Sequence, residues 1–188
     1  MTRSLQAAAE IQDFLSQQGW KFCFVGDVAF LRWGEPPPTR EIDISVCTGI
    51  GHEDQFLSRV LTKYRARIAE DHDLARRNRV LRLQTNDGVP FDVSLAGLPV
   101  EDRIIERASP HRFPRSIDLL TCSAEDLIVL LAFSDRPQDR IDASRVVMRH
   151  QSDLDWDLIE RELKPLVEQT EGHAMWDWLN RLRQQPEG

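Results

Sequence analysis

Cysteine is scarce in this chain: Cys23, Cys47 and Cys122 are scattered through 188 residues, and no C-x-x-C pair occurs. That excludes a disulfide framework and a cysteine-based zinc site. Each lies in an apolar or strand-like context, which marks it as a small core residue. Long apolar runs are also missing, and none nears the roughly 20 residues that cross a bilayer. After Met1-Thr2-Arg3-Ser4, the amphipathic opening segment is broken by Glu10 and Asp13, so no signal peptide is expected and the cytoplasm is the expected address. The histidines (His52, His72, His111, His150 and His173) lack H-x3-H or H-E-x-x-H spacing, leaving zinc chemistry without ligands. Positive charge is in deficit as well. A net charge of −7 argues against a protein that coats nucleic acid by bulk electrostatics. Repeats and low-complexity tracts are absent.

What is there reads as alternating helix and strand, then helix. Leu5, Ala8, Ile11, Phe14 and Leu15 recur at helical spacing over 4–18, and Gly19 suits the position just past a helix end. Lys21–Val25 is short, aromatic and β-prone, and it stops at Gly26-Asp27. A short helix is expected from Val28 to Trp33, before Gly34-Glu35-Pro36-Pro37-Pro38 forces a loop. In Glu41-Ile42-Asp43-Ile44-Ser45-Val46, apolar and polar residues alternate with the period of a half-buried strand. His52–Tyr64 fits a helix. Arg79–Gln84 and Val89–Leu95 read as two strands of a hairpin through Asn86-Asp87-Gly88. Ser123 and Asp126 resemble a capping box opening a helix, and helical spacing continues through the remainder. Trp176 and Trp178 read as packing anchors in that tail rather than stacking platforms. The expected order is mixed α and β to about residue 100, then helices: an α/β sheet domain (1–115) with a helical C-terminal region (116–188).

Chemistry concentrates on the alternating strand. Glu41 and Asp43 should leave the same face with Cα atoms roughly 6.5–7 Å apart, near enough to share a cation. Two like charges on one face repel, and folding alone explains them poorly. Asp92, between Phe91 and Val93, completes a three-carboxylate site for Mg²⁺ if its strand lies beside the first. The alternative is a solvent-facing acidic strand. A strand ending at Gly26 before a helix also places backbone N–H groups where a triphosphate would bind. Arg59, Lys63, Arg65, Arg67, Arg76, Arg77, Arg79 and Arg82 cluster in one stretch. They form either a solvated helix face followed by a charged edge strand, or a basic surface for a polyanionic partner.

Taken together, these segments resemble the polymerase-β-like nucleotidyltransferases, and more narrowly the bacterial AbiEii/AbiGii-type toxin nucleotidyltransferases. Phe24-Val25-Gly26-Asp27-Val28-Ala29 stands where that family has its Gly-Gly-x-Ala turn. Trp33-Gly34-Glu35-Pro36 and Thr39-Arg40-Glu41-Ile42-Asp43 stand where it has a tryptophan-glycine segment, then a threonine and an Asp-x-Asp strand. Phe91-Asp92-Val93 resembles the third carboxylate, with Leu98–Glu101 and Glu106–Ala108 the segment behind it; Thr121–Leu127 and Arg136–Asp139 resemble the start of the helical region. The chain departs from the pattern at Asp27, which brings negative charge to the turn. Pro37 and Leu131 stand where relatives carry Arg and Lys, and Glu41 is one methylene longer than the usual Asp.

The resemblance implies a nucleotidyltransferase fold, with a small mixed sheet flanked by helices, and Mg²⁺-dependent transfer of a nucleoside monophosphate from an NTP. The acceptor would be RNA (transfer RNA included) or a protein, and the protein itself a toxin with a cognate antitoxin. Glu41, Asp43 and Asp92 would be the catalytic, metal-binding residues. Gly26 and Asp27 would line the phosphates, with Thr39 positioning a ligand or satisfying local backbone groups. Arg136 would either replace the missing basic contact or pair with Asp139 or Asp142. The competing reading is a catalytically degenerate scaffold that binds nucleotide or another protein.

Overall fold

The computed structural model describes residues 2–34, 41–68, 75, 77–134, 136–168 and 173–184. Two compact units form: Met1–Val28 with Pro38–Cys122, and Ala29–Pro37 with Ser123–Gly188.

The first unit is built on a seven-stranded mixed sheet in the order β3-β4-β5-β2-β1-β7-β6. Its strands are β1 (Lys21–Val25), β2 (Ile42–Cys47), β3 (Arg65–Ala66), β4 (Val80–Gln84), β5 (Pro90–Ala96), β6 (Ser109–Phe113) and β7 (Ile117–Thr121). β2 pairs antiparallel with β1 and parallel with β5, so the alternating strand lies at the centre. Register decides what each face carries. Phe22, Phe24, Ile42, Ile44, Val46, Leu81, Leu83, Phe91, Val93 and Leu95 align across four strands and are all buried. Against the sheet pack α1 (Thr2–Gln17), α3 (Glu53–Lys63) and α4 (Pro99–Arg107). Tyr64 stands edge-on to both Phe14 and Phe91, tying the first helix to the sheet core. The opposite face, out of phase by one residue, carries Asp43, Ser45, Arg82, Asp92 and Ser94.

Strands continue beyond the expected limit. The hairpin β6–β7 extends the sheet to Thr121, and helix α4 precedes it. The hairpin turns through Arg115 and Ser116, both at positive φ (65° and 58°), without the glycine or asparagine that would have announced it. The charged strand β4 is not at the edge, because two-residue β3 lies outside it. Cys23 and Cys122 are buried as expected, whereas Cys47 is half-buried and donates its thiol to Asp102 Oδ1 at 3.0 Å.

The helix α2 (Gly26–Trp33) starts in the first unit and ends in the second. The second unit also holds α5 (Ala124–Ser134), α6 (Pro137–His150), α7 (Trp156–Glu168) and α8 (His173–Arg183). Ser123 Oγ accepts the Asp126 N–H at 3.1 Å, so the anticipated cap opens α5. Leu127, Ile128, Val146, Val147, Ile159, Leu163 and Leu179 form the core of this unit. Trp176 and Trp178 are half-buried on α8. Among the described residues no helix is long and apolar enough to cross a membrane.

Candidate active site

The site forms where β1 ends and β2 begins. Because these strands run antiparallel, Val25 faces Asp43 in register, and the chain then turns at once into α2. Gly26 makes that turn at φ +51°, and a Cβ there would fall on the Asp43 carboxylate, 2.9 Å from its Cγ. Glycine is therefore required twice over, for the left-handed backbone and for the close approach. The Asp27 N–H, in the first turn of α2, donates to the Asp43 carboxylate. One of the helix N-terminal donors expected to be open for a phosphate thus holds a carboxylate instead.

On the other side of β2, Asp92 is the in-register neighbour of Asp43 across the parallel β2–β5 pair. The two carboxylates share a face. Glu41 lies just before β2 and its side chain is about half exposed (49%). Asp43 and Asp92 are thus neighbours on one face, and Glu41 stands two residues before Asp43.

Burial and mutual repulsion determine their charge. Burial raises the Asp43 pKa to about 7, and the neighbouring charges of Asp92, Asp27 and Glu41 push in the same direction, against the opposing Asp27 N–H bond. Asp92 is also raised, mainly by desolvation, although Arg67 and Arg82 pull the other way.

Arg67 is the residue that sequence reasoning did not single out. It directly follows β3, and its backbone N–H bonds the Arg82 carbonyl at 3.0 Å. From there its Nη1 bonds Glu41 Oε1 at 3.0 Å, and its Nη2 bonds Asp92 Oδ1. One guanidinium therefore bridges two of the three acids. The only signal for it was membership in the basic stretch, and no spacing rule links it to Glu41 or Asp92. Arg79 is turned inward too, bonding Glu53 at 2.5 Å and the Leu95 and Ala96 carbonyls at 2.7 and 2.8 Å. Of the basic stretch, Arg67 and Arg79 are thus engaged by the fold, Arg59, Arg65, Arg77 and Arg82 are exposed, and Arg76 lies outside the described residues.

The donors fit a hard divalent cation in kind, being all carboxylate oxygens around a partly buried, acid-rich point. Among the described residues, no three acids stand close enough to hold an ion as they are, and Arg67 bridges two of them instead. Thr39 and Pro37 lie outside the described residues. Arg136 belongs to the second unit, where its Nε pairs with Asp139 Oδ2 at 2.7 Å.

This architecture is the nucleotidyltransferase fold. ANT(2'')-Ia, an antibiotic-resistance factor, is similar in solution structure, with a TM-score of 0.58 at 12% identity over 92% of this chain and 96% of that one. In its complex with adenylyl-2''-tobramycin the score is 0.54 at 14% identity, over 90% and 99% of the two chains. An antigenic nucleotidyltransferase-like protein from Paracoccidioides brasiliensis scores 0.52 at 10% identity, over 92% of each chain. At these identities the likeness establishes the fold. No protein-family model and no curated protein matches the sequence.

Proposed function

We propose that this chain is a nucleotidyltransferase that moves a nucleoside monophosphate from an NTP to an acceptor hydroxyl. The acceptor oxygen forms a bond to the α-phosphorus, the bond from that phosphorus to the bridging oxygen breaks, and pyrophosphate leaves. The observation carrying the reading is the in-register pair Asp43 and Asp92, set against a turn that only glycine can make. Glu41 and Asp43 would hold Mg²⁺, with Asp92 holding a second ion or taking the acceptor proton. The metal would supply positive charge against the triphosphate. Gly26 lets backbone approach the phosphates, and Thr39 is a further candidate to contact them.

The resemblance to AbiEii/AbiGii-type toxins extends the proposal to a cytoplasmic bacterial toxin acting on RNA or protein, paired with an antitoxin. ANT(2'')-Ia, bound to an adenylylated tobramycin, adds a small polyhydroxyl molecule as an acceptor class. The second reading, a degenerate nucleotide-binding or interaction scaffold, is favoured by one observation: Arg67 already occupies Glu41 and Asp92.

Calorimetric titration of each NTP, with and without Mg²⁺, tests the first reading. Mg²⁺-dependent binding that Glu41→Ala/Asp43→Ala abolishes is the expected result. Absence of binding by the unmodified protein would leave the degenerate reading.

A further inference from the structure

We propose that Arg67 is a built-in counter-cation that exchanges with the divalent metal, so that the guanidinium and the ion occupy Glu41 and Asp92 alternately. This rests on reading Glu41, Asp43 and Asp92 as the metal-binding carboxylates.

Three observations carry it. The first is occupancy: Nη1 and Nη2 of one side chain engage Glu41 and Asp92, the two acids that flank the register position of Asp43. A cation shared by both carboxylates would compete with this guanidinium, which holds one oxygen of each, Glu41 Oε1 and Asp92 Oδ1. The second is incomplete satisfaction. The Arg67 Nε–H is buried and has no hydrogen-bond partner among the described residues, so the guanidinium leaves one donor unmet in this position. Departure from the carboxylates would return that donor to water. The third is anchorage. The Arg67 backbone is fixed to the sheet through the Arg82 carbonyl, while its side chain is 24% exposed and Glu41 49%. Exchange therefore requires rotation of a long side chain toward solvent, with no rearrangement of the backbone that carries it.

Charge makes the exchange workable. With Arg67 in place, the acid cluster is partly neutralised without any metal, which lets the fold form before an ion arrives. A divalent ion brings twice the charge of the guanidinium and tolerates the same oxygen donors. Arg82 lies cross-strand from Asp92.

The test is Mn²⁺ binding without nucleotide, followed through the electron paramagnetic resonance of free Mn²⁺. Wild type, Arg67→Gln and Arg67→Lys are compared after circular dichroism has confirmed native folding. Arg67→Gln no longer has two charge-assisted bonds to break and should bind Mn²⁺ about tenfold more tightly or better. Arg67→Lys, whose ammonium cannot fork across two carboxylates, should fall between; it carries the measurement alone if the glutamine variant does not fold. In wild type, the Arg67 Nε–H resonance should shift on adding Mg²⁺, a change that a merely structural arginine would not show. Equal Mn²⁺ affinity in wild type and variants overturns the exchange and leaves the metal site standing. Weaker binding in Arg67→Gln also overturns it, making Arg67 an organiser of the site. If no protein binds Mn²⁺, the exchange falls together with the metal-dependent reading.

Discussion

At the scale of single residues, Gly26 is the most constrained position of the candidate site. Its φ of +51° costs an L-residue about 1–3 kcal/mol, and an added methyl would also strike the Asp43 carboxylate. Gly26→Ala should therefore destabilise the fold by roughly 2–4 kcal/mol, read from urea unfolding. A loss under about 0.5 kcal/mol would show that the turn relaxes without touching Asp43. The sequence named Gly26 as a turn residue, yet it could not reveal the carboxylate behind it. That contact comes from the antiparallel pairing of Val25 with Asp43.

At the scale of elements, the joint between β1 and β7 is closed in an unusual way. The strands share one register pair, Phe24 with Thr121. Lower down, the Gln12 carboxamide of α1 stands in for a peptide group: its Nε2–H donates to the Asp118 carbonyl at 2.7 Å, and its Oε1 accepts the Leu120 N–H at 2.9 Å. Gln12→Leu keeps the volume and removes both bonds, one of them solvent-exposed, so that water must replace them. A loss of about 0.5–2 kcal/mol is expected in chemical denaturation. Faster amide exchange at Leu120 should localise it to β7. Nothing in the helical periodicity around Gln12 announces this bond. By contrast, the Ser123 cap was legible, because capping is a local matter of one hydroxyl and an N–H three residues on.

For the whole molecule, stability should depend on pH in an unusual sense. Asp43 titrates near 7 in the fold and near 3.9 unfolded, so the folded state holds its proton more tightly. That preference stabilises the protein fully below about pH 4 and is lost as pH rises toward 7 and beyond. The metal-free protein should thus lose on the order of 2–4 kcal/mol between pH 4 and 8, measured by denaturation. Asp43→Asn should flatten the profile. Glu53 works in the other direction: the bond from Arg79 lowers its pKa to about 2, so its contribution disappears only as pH falls below the ordinary carboxylate range. The two windows barely overlap, and a profile that rises from pH 5 to 8 would contradict the assigned state of Asp43.

What the sequence determined by itself was local. The alternation in Glu41–Val46 set the strand and divided apolar from acidic faces, Ser123 set a helix start, and Gly26 set a turn. The order of these pieces carried the resemblance to the nucleotidyltransferases, and the fold was what that resemblance implied. Only the tertiary structure decided that β2 would lie parallel to β5 with Asp43 beside Asp92, since register between distant strands is a property of the closed sheet. The same holds for the β6–β7 hairpin, whose turn has no glycine, and for Arg67, which reaches two carboxylates from the edge of the sheet. Side-chain contacts between strands far apart in the chain leave no periodic trace, because they depend on where the sheet places its edges and not on spacing along the polypeptide.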